Sequence, residues 1–202
     1  MSEDRKKIES IINSFNSGNS IGAYKEIKNL VQNNNTNLNY VYTYALLSSK
    51  LGHEKEAIKN YNLILSKEPN NIKALSGLYP IFIKNKLFDE SKILIDKLIK
   101  HYPNNYEFLR DAAYILYLKE NFKESLNQIN NALSFNDSDA FGLNIKGLIL
   151  INLDKINEAI KIFKKAIKKN IDYVDSYNNL GLCYYKKEDL YQAYKNFKLC
   201  YK

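Results

Sequence analysis

Small, large and apolar positions return along this chain at an interval of 34 residues. Ala23, Ala57, Ser91, Ser125, Ala159 and Ala193 are all small. Four residues further on, Ile27, Tyr61, Ile95, Ile129, Phe163 and Phe197 are all large, and three beyond those, Leu30, Ile64, Leu98, Ala132, Ala166 and Cys200 are apolar. Spacings of i, i+4 and i+7 put these positions on one face of a helix, so each repeat predicts a second helix with a single buried stripe. Twelve residues before each small position stand Ile11, Ala45, Tyr79, Ala113, Gly147 and Gly181, mostly Ala or Gly. A small side chain there lets a first helix lie close against the second. The repeats run 4–37, 38–71, 72–105, 106–139, 140–173 and 174–202, with no insertion and only the last one short.

Breakers and capping residues separate the helices of each pair: Gly18-Asn19-Ser20, Gly52-His53, Asn121 with Glu124 at capping-box spacing, and Asp154 or Asp189 in the later repeats. The repeats end in Asn33-Asn34-Asn35, Pro69-Asn70-Asn71, Pro103-Asn104-Asn105 and Asn136-Asp137-Ser138-Asp139. Proline stops one helix there, and Asn or Asp opens the next. The expectation is a single all-α domain of about twelve helices. Leu180-Gly181, Tyr184, Ala193, Phe197 and the Pro-Asn-Asn endings resemble the tetratricopeptide repeat family across residues 4–202. That resemblance implies a right-handed superhelical solenoid of antiparallel helix pairs. Lys146 stands where the family carries leucine, and Ile171 where it carries proline. Tyr79-Pro80 replaces the small site of the third repeat, and the proline predicts a first helix that kinks or starts late.

Composition agrees with this reading. Seven glycines and three prolines in 202 residues are too few for the many tight turns of a sandwich or barrel, while 45% hydrophobic content excludes general disorder. The net charge of +8 is almost all lysine, since Arg5 and Arg110 are the only arginines. Specific phosphate and base recognition favours the planar guanidinium, so this excess disfavours nucleic acid as the partner. No apolar run is long enough to span a bilayer, and the charged start Met1-Ser2-Glu3-Asp4-Arg5 carries no leader pattern, which predicts a cytoplasmic protein. Catalysis needs a nucleophile, base or metal held by neighbours. His53 falls in a turn and His101 near a helix end, Cys183 and Cys200 form no ligand set, and no phosphate loop or metal motif occurs. The chain is expected to be no enzyme and to need no cofactor or metal.

In repeats of the family it resembles, first helices line a concave groove. Carried over position by position, that implies a peptide-binding surface from Asn39, Tyr42 and Leu46 of the second repeat with Lys73 and Ile83 of the third. Arg110, Tyr114 and Tyr117 of the fourth repeat, Asn144, Leu148 and Ile151 of the fifth, and Asn178, Leu182 and Tyr185 of the sixth extend it. Arg5, Ile8, Asp111, Phe141, Asp175 and Asn179 share the same inner positions. Apolar and aromatic residues recur there with near-balanced charge, which suits an apolar or aromatic peptide anchor with asparagines available to its backbone. The family's clamp for a C-terminal carboxylate is disfavoured, because Tyr114 and Ile145 stand where it needs asparagine. The alternative is capture of acidic protein or nucleic acid on a basic convex face carrying Lys161, Lys164, Lys165, Lys168 and Lys169.

The last helix carries Leu190, Tyr191, Tyr194, Phe197, Leu199, Cys200 and Tyr201, more large apolar residues than one face can bury. A two-fold dimer through the sixth repeat is the simplest closed way to cover them, the alternatives being a frayed end or a docked partner. The prediction is a dimer at concentrations on the order of tens of micromolar that a Tyr194→Lys, Tyr201→Lys double variant makes monomeric. Sedimentation equilibrium checks it, and a monomeric wild type removes it.

Overall fold

The structure, a computed structural model, describes residues 3–200. Twelve helices account for most of them: α1 Glu3–Asn16, α2 Ser20–Asn33, α3 Leu38–Lys50, α4 Glu54–Lys67, α5 Ile72–Lys84, α6 Phe88–His101, α7 Tyr106–Leu118, α8 Phe122–Phe135, α9 Ala140–Asn152, α10 Ile156–Lys169, α11 Val174–Lys186 and α12 Leu190–Leu199. No strand occurs among the described residues. The chain divides into two compact units, one up to Leu98 and one from Ile99 onward, with the division inside α6. Within the first unit α1 packs on α2 and α3 on α4, and α2–α3 and α4–α5 join these pairs. Within the second, the pairs α7–α8, α9–α10 and α11–α12 stack through α8–α9 and α10–α11. Turns of a few residues between consecutive helices make each pair antiparallel.

The periodic positions form the core. Ala23, Ala57, Ser91, Ser125 and Ala159 are fully buried, and so are Ile27, Ile95, Ile129 and Phe163 four residues on. Where the large residue is a phenylalanine, the facing site on the first helix is glycine. A Cβ on Gly147 would strike the Phe163 ring, and one on Gly181 would strike the Phe197 ring. Where it is Ile129, the facing site is Ala113 in the same cluster. Volume is thus shared across these three pairs, as a close-packed interior requires. Ser91 and Ser125 spend their hydroxyls on the first helix, donating to the carbonyls of Tyr79 (3.0 Å) and Ala113 (2.7 Å). A serine at the small site is therefore satisfied although buried.

Capping fixes where the first helices begin. Asn37 accepts from the backbone of Asn39 and Tyr40, Asn71 from Ala74, and Asn105 from Glu107 and Phe108. These asparagines stand 34 residues apart and satisfy donors that a helix start leaves free. Asn19 and Asp189 cap α2 and α12 in the same way. Three local expectations change. Asn121 makes no capping box: its amide donates to Glu124 Oε2 at 2.6 Å and its side chain leaves the backbone uncapped. Asp154 precedes the cap of α10, which is Lys155. Pro80 lies inside α5, yet that helix begins at Ile72, in register with the starts of α3, α7, α9 and α11.

The turn within each pair has one left-handed residue, at Gly18, Gly52, Lys86, Glu120, Asp154 and Glu188, with φ between 59° and 101°. These too are 34 residues apart. The left-handed conformation closes a helix C-terminus cheaply only for glycine and costs other residues about 1–2 kcal/mol. Lys86→Gly and Glu120→Gly should each raise unfolding free energy by up to about 1 kcal/mol, and Gly52→Ala should lower it by about as much. Urea denaturation reads both signs, and a loss of stability in the glycine variants counts against the assignment.

Candidate functional site

First helices present the residues that pairing leaves over. In the first unit, Asn39 and Tyr42 on α3 meet Lys73 on α5. The Lys73 ammonium lies 5.6 Å from the Tyr42 ring centroid, and Tyr42 tilts against Tyr61 at 6.2 Å. Burial raises the Tyr42 phenol pKa. Asn39 and Lys73 border two neighbouring hollows. One, of about 290 Å³, reaches Tyr42 and Glu68. The other, of about 390 Å³, reaches Asp4, Arg5 and Ile8. Asp4 is already held, accepting from Tyr40 Oη at 2.5 Å and Asn37 Nδ2 at 3.0 Å. Leu46 and Ile83 are half-buried and line neither hollow.

The second unit brings more of the expected residues together. Tyr114 on α7, Asn144 and Leu148 on α9, and Asn178 on α11 border one hollow of about 240 Å³, joined by Phe141, Ile145, Tyr173, Asp175 and Asn179. Tyr114 lies parallel to Tyr117 at 6.2 Å and edge-on to Phe141 at 6.1 Å, so the aromatic wall is held by ring contacts. Tyr117 turns toward Phe122 and packs on the α7–α9 core, and Ile151 packs on the α9–α11 core. Leu182 and Tyr185 are exposed and stand outside the hollow. Asn144 is only 4% exposed: its Oδ1 accepts from Asn179 Nδ2 (2.9 Å) and Ser176 Oγ (3.4 Å). Tyr173 is the lining residue absent from the sequence expectation. Its signal was present, because it occupies the register of Asn37, Asn71, Asn105 and Asp139, where every other repeat carries Asn or Asp.

Arg110 organises the charge. Its Nε donates to Asp111 Oδ1 at 2.9 Å, its Nη1 to Asp139 Oδ2 at 3.4 Å, and its guanidinium lies 4.9 Å from the Phe141 centroid. Burial opposes its positive charge, and the two aspartates outweigh that and raise its pKa. Burial also pushes the Tyr173 phenol up to about 12, helped by the charge of Asp175 and a hydrogen bond to it.

The remaining candidates are less open. Lys165 and Lys169 pair with Asp137 at 3.1 and 3.4 Å, and Lys164 lies over Tyr184 at 5.6 Å, while Lys161 and Lys168 are exposed. His53 stacks on Tyr24 at 4.9 Å. Cys183 is buried, and that burial pushes its thiol up to about 11. Among the described residues no cluster of His, Cys, Asp and Glu is placed to hold a metal, and no helix is long and apolar enough to cross a membrane. On α12, Leu190, Tyr191 and Tyr194 are exposed; Tyr201 lies outside the described residues.

A family model described as TPR repeat matches residues 147–188. Tetratricopeptide repeat protein 13 of Homo sapiens is 23% identical over 204 residues, covering 82% of this chain and 23% of that protein. The chain spans 17–24% of the length of the curated relatives it matches. Among solved structures, a tetratricopeptide repeat protein from Parabacteroides merdae has a TM-score of 0.83 at 15% identity, covering 95% of this chain and 76% of that one. YrrB, described as a TPR protein with an unusual peptide-binding site, has a TM-score of 0.64 at 19% identity, with 86% and 90% covered. These likenesses establish the helix-pair repeat fold.

The charge around Tyr173 sets a testable titration. Tyr173 should ionise near pH 12, and Asp175→Asn should move it downward by removing the negative neighbour while burial remains. Ring ¹³C shifts of the tyrosines followed with pH check this, with Tyr173→Phe assigning the resonance. A rise, or no change, contradicts the pairing.

Proposed function

Because this chain belongs to the tetratricopeptide repeat family, we propose that it is a non-enzymatic protein–protein interaction scaffold that holds a segment of a partner protein against its first helices. The observation that carries this reading is the hollow bordered by Tyr114, Phe141, Leu148 and Tyr173 with Asn144, Asn178 and Asn179 around it. Aromatic rings supply large contact area at low entropic cost, and amides can pair with an extended backbone. Stacked helices preform the surface, so little ordering cost falls on the protein side. The peptide-binding description of YrrB supports the same use of the fold. The rival, a polyanion-binding basic face, has less support, since Lys165 and Lys169 are engaged by Asp137.

The test begins with the native partner, recovered by pull-down and mass spectrometry and then titrated in purified form. Tyr114→Ala with Leu148→Ala should weaken binding by about 2 kcal/mol or more with helicity intact. Both side chains are half-buried, so the circular dichroism melt of the variant is read alongside. Unchanged affinity removes this surface.

A further inference from the structure

We propose that the hollow of the second unit receives a cationic side chain, arginine or lysine, from the bound segment. The proposal rests on the scaffold reading above and adds the chemistry of the anchor. One carboxylate, Asp175, lies on the lining, and two more, Asp111 and Asp139, hold the guanidinium that stands against Phe141. That guanidinium is already spent: Arg110 bonds Asp111 and Asp139 and covers the face of Phe141. Asp175 lies on the lining itself, where it bonds the neutral phenol of Tyr173. Tyr114, Phe141 and Tyr173 provide ring faces, and a cation stacked on such faces gains from the ring quadrupole as well as from the acid beside it. Arg110 on Phe141 shows the same combination already built once within the protein.

An independent observation points to a peptide. Asn144 is more than nine-tenths buried, and its carbonyl is taken by Asn179 and Ser176. Its amide meets no acceptor among the described residues. It is also not sealed in, since Ser48 Oγ is the one enclosed side-chain atom without a partner there. Because Asn144 lines the hollow, that amide is open to an acceptor, and a peptide carbonyl supplies one while the neighbouring side chain reaches Asp175. An acidic anchor would meet Asp175 directly, and an apolar one would strip it of water without compensation. The net charge of +8 predicts the opposite preference, so local and global electrostatics are separable.

The experiment uses four pools of end-blocked nine-residue peptides, uncharged at the degenerate positions, with Arg, Lys, Gln or Glu fixed at the centre. Each is titrated by fluorescence anisotropy against the full chain at moderate salt. The Arg and Lys pools should bind about tenfold tighter than the Glu pool and several-fold tighter than the Gln pool. Asp175→Asn, an exposed site whose fold is checked by circular dichroism, should erase most of that preference. Equal binding of the Gln, Arg and Lys pools, a preference for Glu, or a preference that survives Asp175→Asn overturns the proposal. If the pools bind without cation preference but lose binding in Tyr114→Ala, the scaffold reading stands and the anchor chemistry fails. If no pool binds at all, both fail.

Discussion

The later helix pairs are held by one close crossing, in which the large residue of the second helix fills the space left by a small residue on the first. Phe163 against Gly147 and Phe197 against Gly181 are its tightest forms, since a single added methyl would overlap a ring. In these pairs the smallest first-helix residue, glycine, faces the largest second-helix residue, phenylalanine. Glycine in a helix interior weakens it by roughly 0.5–1 kcal/mol relative to alanine, and burial of a phenylalanine contributes about 1.5–3 kcal/mol. Burial of the ring outweighs the weakened helix, and glycine persists where the ring needs it. The serines of α6 and α8 reach the same closeness differently, by bonding a hydroxyl to a carbonyl of the partner helix.

Because pairing uses only that stripe, the other side of each first helix is free to carry chemistry. On α7, Ala113 serves the core, while Tyr114 borders the hollow and Arg110 lies on Phe141 of its wall. On α9, Gly147 serves Phe163 while Asn144 and Leu148 line it. One helix thus works on two faces, and the close crossing on one fixes the position of the other. A site placed on packed helices is held more firmly than one placed on loops.

The helices were legible because their signals are local and repeated: the i, i+4, i+7 stripe, and asparagines that cap one turn downstream. What escaped depends on partners far away in sequence. Asn144 reads as a groove residue by position, but Ser176 and Asn179, more than thirty residues later, draw its carbonyl inward. Asp139 sits at the capping register yet makes no cap and serves Arg110 across 29 residues. The left-handed turn positions hid differently. Only Gly18 and Gly52 announce them, and Lys86, Glu120, Asp154 and Glu188 become visible once the 34-residue step is carried through.

Arg110 shows why lysine does not serve everywhere in a chain so rich in it. Lysine is a compact point charge on a flexible stem, adequate at Asp137, where Lys165 and Lys169 pair in the open and contribute little. Arg110 must satisfy Asp111 and Asp139 from different sides while lying flat over Phe141, and only a planar fork does all three. Its side chain is 16% exposed, so its charge is partly stripped of water. The attraction of two carboxylates first has to offset that loss, and the pair adds less stability than its distances suggest. What it does add is geometry. The ring of Phe141 is pinned, and with it the wall that Phe141 shares with Tyr114, on the same hollow that the exposed Asp175 lines.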